Sequence, residues 1–226
     1  MGFRGEDAVI PNGVSIAHFA KPVAEARIAE MRTELGKQEG EVALVTTSRL
    51  VHKNGIDNVI EALPLLPENV TFYIYGIGPD EAMLRALAEK LGVADRAKFM
   101  GQIGHADMPV MLRACDIFIR PSRSEGMGNS FVEAMAAGIP VIATQEGGIA
   151  DFLFDRNLNP DKEPTGWAVR KDAPEDIAAA VQDIIANPER VQSVVRTAGD
   201  MVRERYDWER IAASMHELFS RMLVVR

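Results

Sequence analysis

Two carboxylates, Glu125 and Glu133, flank a glycine-rich turn in the segment 124–144, which reads SEGMGNSFVEAMAAGIPVIAT. The turn opens an Ala-rich helix that Gly138 and Pro140 stop, and the apolar run Val141-Ile142-Ala143 follows as a strand. Free backbone N–H groups at a helix start attract phosphate. A carboxylate on the same turn accepts hydrogen bonds from sugar hydroxyls. Phosphate and sugar together point to a nucleotide sugar. Spacing alone leaves a second reading open. Ser130-x-x-Glu133 is also a capping box, in which Glu133 only ties off the backbone, and Glu125 is then an exposed loop acid.

The elements that must position these residues follow from the hydrophobic pattern. Strands are expected at 41–47, 70–75, 97–100, 116–119, 140–144 and 166–169, alternating with helices at 56–66, 80–91, 106–113 and within the segment above. After Pro174 the chain reads as helical, over 175–186, 188–204 and 208–223. Repeated strand–helix units give an α/β, Rossmann-like parallel sheet with helices on both faces. Ligands of such sheets bind beyond the carboxyl ends of the strands. The candidate residues all follow strand ends, so they should converge on one rim.

Composition narrows the chemistry. The 226 residues carry 33 acidic and 25 basic side chains, a net charge of −8, whereas nucleic-acid binding needs a basic footprint. An anionic ligand therefore needs local cations; Arg49 with Lys53 offers one pair, Arg120 with Arg123 another. The one cysteine, Cys115, sits in an apolar run and reads as core. A single thiol allows no internal disulfide, which suits a cytoplasmic setting. No Asp-x-Asp motif is present and the four histidines are scattered, so neither a metal nor another cofactor is expected.

The segment from Pro121 to Val141 resembles the signature of the retaining glycosyltransferases of family 4, or group 1, which have the GT-B fold. Pro121, Ser122, Glu125, Gly126, Glu133, Ala134, Ala136, Gly138, Pro140 and Val141 fit that pattern. Three more stretches fit in the family's order: Val9-Ile10-Pro11-Asn12-Gly13-Val14 with Phe19, Ser48-Arg49-Leu50 with Lys53 and Gly55, and Tyr75-Gly76-Ile77-Gly78-Pro79. The first looks like the interdomain linker, the other two like phosphate-binding turns. The resemblance spans about residues 9 to 222 and covers the donor-binding half alone. It implies a linker remnant at 1–20, a nucleotide-sugar-binding domain at 21–206 and a C-terminal helix at 207–226 that packs toward an amino-terminal acceptor domain absent from this sequence. That helix also offers an apolar face for peripheral membrane contact.

The resemblance also implies roles. Arg49 and Lys53 would neutralise the diphosphate. Glu125 would face the transferred sugar and Glu133 would accept both ribose hydroxyls. Gly126, Met127, Gly128, Asn129, Ser130 and Phe131 would bring backbone N–H groups to the sugar and distal phosphate, and Gln102 and Ile103 would border the base. Members often have a lysine five residues after the arginine, where this chain has Asn54 and Lys53 comes one position earlier. The expected reaction moves a sugar to an acceptor hydroxyl with retention, in polysaccharide or glycolipid assembly. Three alternatives stay open: a non-catalytic nucleotide-sugar-binding module, an epimerase or phosphorylase of related fold, and a Rossmann oxidoreductase. The last is weakened by Glu81, which stands where the dinucleotide fingerprint of Gly76 and Gly78 needs a third glycine.

Overall fold

The computed structural model describes residues 9–224. The chain enters through a short helix, Ile16–Phe19 (α1), and a longer one, Glu25–Leu35 (α2). The strand–helix pattern did not include α2. Its large apolar residues, Ile28, Met31 and Leu35, have helical spacing and are buried, but its charged residues outnumber them. Gly36, at φ +70°, ends it in the left-handed conformation that glycine adopts without a Cβ penalty.

Six strands follow: Val42–Thr47 (β1), Val70–Tyr75 (β2), Ala97–Gly101 (β3), Ile117–Arg120 (β4), Val141–Ala143 (β5) and Trp167–Ala168 (β6). All pair in parallel, in the order β3-β2-β1-β4-β5-β6. The six expected strands are all present, each within two residues at either end. The order reverses between β1 and β4, where Leu44 pairs with Ile117 and Val45 with Phe118. Such a switch point opens a crevice at the strands' carboxyl ends.

Helices Ile56–Ala62 (α3), Glu81–Lys90 (α4), Met108–Ala114 (α5), Asn129–Ala137 (α6), Pro174–Ala186 (α7), Pro188–Arg205 (α8) and Trp208–Val224 (α9) complete the architecture. The helix expected over 56–66 stops at Ala62. Pro64 has no N–H to continue the ladder, and Leu63–Leu65 closes as a 3-10 turn instead.

Side chains alternate across the sheet into two cores. Ala43, Val45, Tyr73 and Phe118 pack with α1, α2, α5, α6 and part of α8; Leu44, Phe72, Ile74, Ile117 and Ile119 pack with α3, α4 and α7. The amino-terminal stretch is built into the first core, where Val14, Ile16 and Phe19 are buried. Cys115 lies there too, and burial pushes its thiol up to about 12, so it stays a protonated packing group. No helix among the described residues is long and apolar enough to cross a membrane.

Candidate functional site

The turns after β1 and β2 are stitched together at the switch-point rim. The Ser48 N–H donates to Tyr75 O at 2.9 Å and the Leu50 N–H to Ile77 O at 3.1 Å. Gly76 has φ +147°, and a Cβ there would run into Ser48 O; a Cβ at Gly78 would run into Leu50 O. Only glycine permits this approach of two backbones. The turns frame an open cleft of about 460 Å³. One wall is Thr47, Ser48 and Arg49, the second Tyr75, Gly76 and Ile77, the third Gln102, Ile103 and Met108, and Ser130 and Glu133 of α6 complete it.

The structure therefore brings Arg49, Gln102, Ile103, Ser130 and Glu133 to one cleft, although up to 84 positions separate them in sequence. Arg49 is exposed and holds no ion pair among the described residues. Lys53 lies in the 3-10 turn His52–Asn54, exposed, and does not line the cleft. Asn54, its neighbour, is buried and donates to Arg49 O at 2.7 Å, which fixes the turn that carries the arginine.

The second candidate pair of cations is committed elsewhere. Arg123 forks onto Asp57 at 2.8 Å from each Nη, donates to Asp172 Oδ1 at 2.7 Å and to His52 O at 2.6 Å. Arg120 is buried and paired with Glu125, Nη2 to Oε2, at 2.8 Å. Neither is a free surface cation for a ligand. The charges stabilise the turn and loop that surround the cleft.

The helix start corrects the capping-box reading. Gly128, at φ +72°, is the N-cap of α6, and no side chain caps it. Ser130 lies inside the first turn and its Oγ accepts from Arg120 Nη1 at 2.8 Å. Glu133 is thus free of any capping duty. It sits half-buried at the cleft, where burial raises its pKa while the positive charge of Arg120 and the nearby His18 pull the other way.

The backbone donors need a second correction. Gly126 N–H is spent on its neighbour's carboxylate, Glu125 Oε1, at 3.0 Å, and Phe131 N–H on Gly128 O at 3.1 Å. Phe131 itself is fully buried and packs in the core edge-to-face with Phe118 and tilted against Phe152. The N–H groups of Met127, Gly128, Asn129 and Ser130 remain without an acceptor among the described residues. Gly128, Asn129 and Ser130 stand at the helix start, where free N–H groups attract anions, and Met127 directly precedes it. Asn129 also reaches the entering chain, its Oδ1 accepting from Asn12 Nδ2 at 3.0 Å. Gly147 and Gly148 back the loop, with Gly148 N–H donating to Gly126 O at 2.7 Å.

Another cavity, of about 480 Å³, lies beside β6, lined by Trp167, Asp176, Asp183 and Arg190 among others. It contains none of the motif residues. The rim cleft brings together the exposed Arg49, Ser130 with its free N–H, and the uncommitted Glu133 carboxylate; Glu125 and residues 126–129 do not line it.

Residues 27–201 match the family described as Glycosyl transferases group 1. The chain is 32% identical over 221 residues to the GDP-mannose-dependent alpha-(1-6)-phosphatidylinositol monomannoside mannosyltransferase of Mycolicibacterium smegmatis, covering 93% of this chain and 55% of that protein. It therefore spans about half the length of the curated relatives it matches. The crystal structure of Anabaena Alr3699/HepE in complex with UDP-glucose superposes with a TM-score of 0.85 at 25% identity, over 95% of this chain and 57% of the other. The C-terminal domain of a glycosyl transferase group 1 family protein, LpcC, from Francisella tularensis shares the fold, with a TM-score of 0.72 at 24% identity over 87% of this chain and all of that one.

Proposed function

This chain belongs to the glycosyl transferases of group 1, and we propose that it is the donor-binding half of an enzyme that moves a sugar from a nucleotide diphosphate sugar to an acceptor hydroxyl with retention. The observation that carries this reading is the cleft. It sets the exposed Arg49 and the half-buried Glu133 on walls of one cavity, next to the free N–H groups at the start of α6.

Each part has a task. Arg49 and the N–H groups of residues 127–130 take the diphosphate, whose charge grows as the sugar leaves; fixed donors aimed at developing charge are the strongest aid to such a reaction. Lys53 follows Arg49 as a mobile point charge on the same loop. Glu133 accepts from the ribose hydroxyls, and Glu125 from hydroxyls of the transferred sugar. Gln102 and Ile103 border the base. The donors named for the relative and the solved structure, GDP-mannose and UDP-glucose, differ in base and sugar, so both belong in any test.

The acceptor side comes from a second domain. Helix α9 supports this reading. It is anchored by Ile211, buried near Gly13, while Trp208, Met215, Phe219 and Met222 stand exposed along it. We assign that apolar face to the acceptor-binding domain. Sugar transfer by the purified chain tests the acceptor side of this reading: the chain should bind donor and transfer little or no sugar to an added acceptor. Sustained transfer by residues 1–226 alone would overturn the assignment of the acceptor side to another domain.

A further inference from the structure

Strand β4 is apolar and buried on both faces, yet it ends in Arg120, only 6% exposed. A buried guanidinium loses several kcal/mol of hydration unless its surroundings replace water. Here they do so selectively. Nη2 donates to Glu125 Oε2 at 2.8 Å; Nη1 donates to Ser130 Oγ at 2.8 Å and to Thr47 O at 3.3 Å; the plane lies 4.2 Å over the Phe131 ring. Nε has no acceptor. Folding alone does not call for this cation, because a well-packed apolar residue at a buried position is commonly as stable as an ion pair or more so.

What the cation does is join three pieces of the site. Thr47 and Ser130 line the cleft, from β1 and α6 respectively, and Glu125 lies on the loop between β4 and α6. A Cβ at Gly128 would run into the Phe131 ring at 2.6 Å, with Nη2 at 2.9 Å. Glu125 is held at both oxygens, by Arg120 on one and by the Gly126 N–H on the other. Each carboxylate oxygen retains a further acceptor direction.

We propose that Arg120 is the positioning residue for recognition of the transferred sugar. It fixes the Glu125 carboxylate from beneath so that the remaining lone pairs meet sugar hydroxyls at no further ordering cost. This rests on the assignment of Glu125 to the sugar. The bond to Glu125 bears on the sugar, while the bonds to Ser130 and Thr47 brace the cleft wall, so the loss on removing Arg120 is larger for the nucleotide sugar than for the nucleotide.

The test is calorimetric titration of the 226-residue chain with UDP and UDP-glucose, and with GDP and GDP-mannose, for wild type, R120K, R120M, E125Q and the R120M/E125Q double variant, with Tm followed throughout. For the matched pair, E125Q should weaken the nucleotide sugar about tenfold or more while leaving the nucleoside diphosphate within about twofold, and R120M should weaken the nucleotide sugar about as much and the nucleoside diphosphate by clearly less. The double variant should be no weaker than either single one, because one interaction is lost only once. R120K keeps charge without the fork and should fall between wild type and R120M. Equal weakening of both ligands, or additive losses in the double variant, would overturn the positioning role while leaving the nucleotide site intact. Failure of the wild type to bind any of the four would bring down the donor-site reading and this inference with it.

Discussion

Arg123 and Asp57 face each other fork to fork, each Nη 2.8 Å from its own carboxylate oxygen. The pair joins the loop after β4 to the first turn of α3, and Arg123 N–H adds a bond to Lys53 O at 2.7 Å. Both side chains are mostly shielded, at 16% and 19% exposed. Removing the arginine leaves Asp57 poorly solvated and without its fork. Arg123→Ala should cost about 2 kcal/mol, within the range for hydrogen bonds to charged groups. A thermal scan should show a Tm lower by roughly 4–8 °C for a domain of this size. The lost guanidinium also donates to His52 O at 2.6 Å in the turn that carries Lys53, so nucleotide affinity should fall as well.

Arg49 behaves oppositely. It is exposed and holds no ion pair among the described residues, so the fold does not depend on it. Arg49→Ala should weaken nucleoside diphosphate binding by about 1.5–3 kcal/mol. Tm should stay within roughly 1–2 °C, as for other surface substitutions. A nucleoside without phosphates should bind both proteins equally, which calorimetry with uridine and guanosine checks.

Glu133 should trade stability against binding. Its pKa is raised by burial above the usual 4.5. Its stabilising contribution is therefore complete below about 4.5 and is lost as pH rises through the raised folded value. Glu133→Gln removes that penalty. The variant's Tm should match wild type near pH 4.5 and rise above it toward neutral pH, while nucleotide affinity at neutral pH falls by about 1.5–3 kcal/mol. A capping role would lower the stability of Glu133→Gln instead, and Gly128 at the cap position argues against one.

Gly76 tests the frame of the cleft. Its φ of +147° and the nearness of Ser48 O leave no room for a Cβ. Gly76→Ala should cost at least about 1–3 kcal/mol from backbone strain alone, read as a lower urea midpoint, and should part the β1 and β2 turns enough to abolish nucleotide binding.

The sheet was legible because its strands are short apolar runs bounded by turn residues, and every expected strand is present. Helix α2 was not, since charged residues dominate its composition and three buried side chains make its only apolar face. At the site, residues brought together by strand ends were legible from their motifs: Arg49, Glu133 and the α6 turn share one rim. Spacing alone could not exclude the capping box, because the cap depends on the backbone conformation of Gly128, which side-chain spacing does not encode. Arg120 and Arg123 looked alike in sequence and have different tasks. A signal was available for Arg120: a charged residue closing an otherwise apolar strand, Ile117-Phe118-Ile119, is buried only when paired. Nothing comparable marks Asp57 and Asp172 as partners of Arg123, which come together only when the chain folds.

The donor site itself is tested most directly by titrating this chain calorimetrically with UDP, GDP and ADP, first without metal and then with magnesium. The account predicts selective binding of one of them in the absence of metal, weakened in both Arg49→Ala and Glu133→Gln. Binding of none, or binding that survives both substitutions and perturbs Trp167 beside the distant cavity, would contradict it.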